Sequence, residues 1–126
     1  SFFTQRVDYY TTLTSSLEQE QKELDEQKAE IEVQIEKLEE EKENLLAELK
    51  AAIEAGNEIL AASLDIQVQN VTDQIEALLD ELSEIEDRLD QIAEAIDIAA
   101  KAIKQVEAAS VDGTVETDAD QILGLF

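Results

Sequence analysis

The chain has 126 residues and a formal charge of −23, from 32 Asp and Glu against nine Lys and Arg. That balance excludes nucleic acid and anionic membrane as direct electrostatic partners and leaves basic proteins and cations open. With no Cys and no His, the chain lacks the thiolates and imidazoles that most catalytic, metal and haem sites need.

A content of 33% charged and 4% aromatic residues is that of a long helix or coiled coil, not a compact globule. The 44% apolar content separates it from acidic disordered tails, because regular heptads offer enough burial to offset ordering the chain. No apolar run approaches the roughly 20 residues of a membrane span. The chain therefore reads as soluble, and a virion or a cytoplasmic setting suits it equally.

Residues 1–13 hold four of the five aromatics, Phe2, Phe3, Tyr9 and Tyr10. They are expected to cluster, either closing the open end of a helical bundle or forming a protein-docking patch. Thr11, Thr12, Thr14, Ser15 and Ser16 are poor helix formers, and Ser15 with Glu18 spells a capping box. The helix onset is therefore left open over Phe3 to Ser16, with Ser15 as the firmest start.

From Leu17 a heptad series runs through Leu24, Ile31, Leu38 and Leu45 at d, with mixed a positions: Gln21, Lys28, Ile35, Lys42 and Leu49. This is the weaker arm, since Lys28 and Lys42 can lay only their methylene stems on the seam. The run Glu39, Glu40, Glu41 and Glu43 reads as a solvated face.

Extending this series past Leu45 gives the wrong phase for the next one, so a break lies between them. Gly56 and Asn57 supply it: Gly suits the left-handed residue that ends a helix, and Asn caps the next.

The second series is unbroken: Leu64, Val68, Val71, Ile75, Leu78, Leu82, Ile85, Leu89, Ile92, Ile96, Ala99, Ile103 and Val106 fill its a and d positions. Antiparallel pairing places a opposite d and keeps the two residue numbers at a constant total of 113. Leu49 then faces Leu64, Ile35 faces Leu78, Leu17 faces Ile96, and the midpoint falls between Gly56 and Asn57. Arms of about 49 residues would be roughly 73 Å long at 1.5 Å per residue.

Leu46, Ile53, Ile59, Leu60 and Ile66 near the turn fall outside this seam, as do Leu13, Ala93, Ala95, Ile98, Ala100 and Ala102 near the termini. A two-helix hairpin cannot cover them all, so a homo-oligomer or a helical partner is expected.

Beyond Ser110 the periodicity stops. Asp112 and Gly113 read as a turn, Thr114 to Glu116 as an extended connector, and Thr117 as the cap of a brief helical turn. Asp112, Glu116, Asp118 and Asp120 do not have calcium-loop spacing, so no metal is assigned. The end, Gln121, Ile122, Leu123, Gly124, Leu125 and Phe126, is apolar again and is a candidate interaction segment, docking in trans or folding back on the hairpin.

Those six residues resemble the short peptides by which bacterial and phage replication proteins dock on sliding clamps, a Gln followed by apolar residues ending in Leu and Phe. Gly124 departs from the tighter pattern of Gln, two residues, Leu and Phe. The resemblance implies a replication accessory that docks on a clamp.

The expected fold class is all-α, a long antiparallel coiled-coil helical hairpin with a short irregular docking tail. Arm 1 spans about 7–55, the turn 56–57, arm 2 about 58–109 and the tail 111–126. The expected function is structural or assembly, with a second copy and other protein subunits as partners. The alternatives are an acidic regulator, either a nucleic-acid mimic or a binder of basic proteins, and the clamp-docking accessory. No catalytic residue, cofactor or small-molecule substrate is assigned, because paired helices offer no concave pocket to shift carboxylate pKa values.

Overall fold

The computed structural model describes residues 1–112. It holds two α-helices, α1 (Phe2–Glu54, 53 residues) and α2 (Glu58–Asp112, 55 residues), packed against each other as an all-α hairpin. Among the described residues there is no strand.

The turn follows from two residues. Gly56 takes φ 71°, and the Asn57 and Gly56 amides donate to the carbonyls of Ala52 (2.9 Å) and Ile53 (3.1 Å), which closes α1 as a Schellman motif. Asn57 then starts α2, its Oδ1 accepting from the Leu60 amide at 3.1 Å. One residue thus ends a helix and caps the next, at the position expected for the turn.

The start of α1 lies at the early edge of the Phe3–Ser16 range, ahead of both the arm start at about residue 7 and the Ser15 cap. The helix begins at Phe2, with the Ser1 Oγ accepting from the Thr4 amide at 3.3 Å, and runs through Ser15 and Glu18 without a break. Propensity loses to packing here: Tyr10 and Leu17 are buried, and the Thr14 hydroxyl is satisfied by donating to the Tyr10 carbonyl at 2.8 Å. At the other end α2 carries on past Ser110 through Asp112, so the turn expected at Asp112 and Gly113 does not begin at Asp112.

The chain divides into two compact units. The terminal unit comprises Ser1–Asp25 with Glu86–Phe126, described up to residue 112, and the turn unit comprises Glu26–Ile85. In the terminal unit Tyr10, Leu17, Ile92, Ala95, Ala99, Ala102 and Val106 form one buried cluster, with Phe3, Val7, Leu13, Leu24, Ile96, Ile98 and Ile103 packed against it. In the turn unit the buried residues are Ile31, Ile35, Leu45, Ala52, Leu64, Val71, Ile75 and Ile85. All are a or d residues of the two series.

Two of the flanking alanines need no third helix. Ala95 and Ala102 are 0% and 2% exposed, and Leu13 and Ile98 are half-buried, whereas Ala93 and Ala100 are exposed. Ala95 and Ala102 both belong to the buried cluster that holds Tyr10 of the opposite helix, with Leu13 packed against it.

Candidate interaction surfaces

Three surfaces bear on function: the aromatic end of the terminal unit, the polar flank of the seam, and the apolar residues beside the turn. Phe2 and Phe3 meet edge to face at 5.6 Å between ring centroids, and Tyr9 and Tyr10 do so at 5.2 Å. Within each pair one ring turns inward. Phe3 packs on the core and Tyr10 is buried, while Phe2 and Tyr9 are 52% and 44% exposed. Core closure and surface presentation are thus divided between neighbours in sequence.

Arg6 ties the tyrosines together. Its guanidinium carbon lies 5.1 Å and 5.2 Å from the Tyr9 and Tyr10 ring centroids, and Nη2 donates to the Tyr10 hydroxyl at 3.1 Å. Sequence reasoning passed over Arg6, although its spacing of three and four residues to the two tyrosines is the signal for such a contact on a helix.

On the seam's flank Arg88 donates through Nε and Nη2 to both carboxylate oxygens of Glu20, at 2.8 Å and 2.9 Å. This bidentate pair holds the Glu20 carboxyl below the usual carboxylate range, against the opposing effect of burial, and pushes the guanidinium of Arg88 up. Both residues occupy g positions of their series, which antiparallel pairing brings to one side. Lys28 and Lys42, at a positions, are half-buried.

Beside the turn the large apolar residues stay outside the core. Ile59 is 87% exposed, Ile53 64%, Ile66 62%, Leu60 46% and Leu46 45%. A shallow groove lies next to them, lined by Ala51, Ala52, Ala55, Leu60 and Leu64.

Among the described residues no group of His, Cys, Asp or Glu is placed to hold a metal ion, and no helix is long and apolar enough to cross a membrane. The C-terminal candidates Gln121, Ile122, Leu123, Leu125 and Phe126 lie outside the described residues, as do Gly113, the connector and the Thr117 cap. No protein-family model, curated protein or solved structure matches the chain.

Proposed function

We propose that this chain is a non-enzymatic structural or assembly protein, for example a virion component, scaffold or spacer, an acidic helical hairpin that self-associates and docks on a larger complex. The observation that carries this reading is the exposure of Leu46, Ile53, Ile59, Leu60 and Ile66 close to the turn, five of the seven large exposed aliphatics among the described residues, the others being Val33 and Leu79. Fully burying a side chain of that size contributes about 1.5–3 kcal/mol, so a cover over several of them is strongly favoured. Mass by light scattering across salt concentrations tests it. A stable oligomer whose mass holds or rises with salt is expected, because salt screens the repulsion of acidic chains. A monomer at every salt concentration rejects the reading.

The docking half of the proposal rests on Ile122, Leu123, Leu125 and Phe126. Deleting residues 121–126 should leave helix content unchanged and abolish incorporation into the native assembly. If those residues fold back on their own hairpin instead, the deletion lowers thermal stability.

A second reading, an acidic binder of basic proteins, is favoured by where the charge lies. Residues 18–43 and 73–97 together carry 22 acidic and five basic side chains. Titration with a basic protein would show an affinity that falls steeply with salt.

A further inference from the structure

The acidic charge is concentrated in two stretches, and five of the seven large exposed aliphatics among the described residues lie between them, with Val33 and Leu79 inside them. Residues 44–72 carry four acids and one base, Glu48, Glu54, Glu58 and Asp65 against Lys50, whereas residues 18–43 carry 12 acids and four bases and residues 73–97 ten acids and one base. From Ile59 to Thr72 the only charged residue is Asp65. Two copies of a chain with charge −23 repel wherever their acidic stretches meet. Around the turn, where residues 44–72 carry a net −3, they repel less.

The same end of the molecule offers both halves of a contact. Ile59, Leu60 and Ile66 are large exposed aliphatics, and Ala51, Ala52 and Ala55 line a shallow groove together with Leu60, Leu64, Glu48 and Asn57. Heptad positions put these aliphatics on more than one side of the helix pair: Leu46 and Ile53 share position e of the first series, Ile59 and Ile66 position f of the second, and Leu60 position g. A helix that is apolar on several faces is ordinarily enclosed by neighbours. A two-fold contact between identical chains requires a surface that carries both a projection and a groove, and the exposed Leu60 is itself part of this groove.

We infer that a second copy of this chain covers this surface, turn end against turn end, with the aliphatics of each copy seated in the alanine-lined groove of the other. The inference rests on the self-association proposed above and names the face that carries it.

The test uses the full chain with Ile59→Asp and Ile66→Glu together. Asp at the second residue of α2 suits a helix N-terminus, so the helix is kept while the apolar contact is lost. The expected result is a twofold drop in mass by light scattering with an unchanged helical circular dichroism signal, whereas Val33→Glu, at another exposed aliphatic of the turn unit, leaves the mass as in the parent. Because the chain has no cysteine, the single variant Ile59→Cys should also form interchain disulfides on mild oxidation faster than Val33→Cys does. A parent that is oligomeric and a double variant that stays so would overturn this face while leaving self-association standing. Faster crosslinking through Val33→Cys would do the same. A parent that is monomeric at all salt concentrations would overturn both.

Discussion

The two units are made from the same two helices and the same heptad pattern, yet they bury their residues to different depths. In the terminal unit Ile92, Ala95 and Ala99 are 0% exposed and Tyr10 1%, whereas the best-covered residues of the turn unit, Ala52, Leu64 and Val71, retain 4%. The difference lies beside the seam, not in it. In the terminal unit Ala95 and Ala102 belong to one buried cluster with Tyr10, and Leu13 packs against that cluster. In the turn unit the g positions away from the turn carry Gln27, Gln34, Glu41, Glu48, Gln67, Gln74 and Glu81, with Ala55 and Leu60 only beside the turn, and Lys28 and Lys42 occupy the seam itself. A third side chain cannot close over a two-helix contact flanked by long polar groups. Heptads alone therefore secure pairing, and small flanking residues opposite large ones secure dryness.

The largest test of this contrast is Tyr10→Ala, which removes the ring buried with the flanking alanines. A loss of about 3–5 kcal/mol is expected in chemical denaturation, against about 2 kcal/mol for Ile35→Ala in the turn unit. Equal losses would mean that the flanks contribute little.

Overpacking probes the same region in the opposite direction. Ala99→Leu, at a position with no exposed surface, should cost about 1–3 kcal/mol. The exposed Ala100→Leu should be close to neutral. If Ala99→Leu is tolerated as well, the terminal unit is looser than its burial indicates.

Next comes the turn. A Cβ at Gly56 would meet nothing within 4 Å, so Gly56→Ala is not opposed by space but by the positive φ, at about 1–2 kcal/mol by thermal melting. A cost near zero would show that the reversal does not depend on the left-handed residue.

The smallest effect is expected at the ion pair. Glu20 and Arg88 are only partly covered, with side chains 39% and 33% exposed, and solvent screening limits Arg88→Gln to about 0.2–1 kcal/mol at neutral pH. Because the Glu20 pKa is depressed in the folded state, its contribution is fully present above the unfolded carboxylate pKa and is lost as pH falls through the folded value. The gap in melting temperature between parent and variant should accordingly close on acidification. A gap that stays constant with pH would assign the effect to packing of the arginine stem.

Much of the fold was legible in the sequence because its signals are local or periodic. The phase shift between the two series located the turn, and Gly56 and Asn57 perform the roles their chemistry suggests. The inside faces were legible too, since every residue at the a and d positions from Leu64 to Val106 is buried or half-buried. The helical state of residues 2–14 was not, because intrinsic propensity and the Ser15–Glu18 spacing pointed the other way. Of the candidate interaction residues, composition picked out Phe2, Phe3, Tyr9 and Tyr10 as a group but could not divide the inward rings from the outward ones.

The sequence by itself determined that this chain is two long paired helices, where they reverse, and which stripe of each is apolar, because a period near 3.5 and a helix-ending Gly are written in consecutive residues. Only the tertiary structure decided that Ser1 caps α1, that Ala95 and Ala102 are sealed by their own chain, and that Arg88 reaches Glu20. These depend on how closely two backbones approach and on which rotamer a long side chain takes when its neighbour across the seam is small, and no periodicity within one strand of sequence encodes that distance.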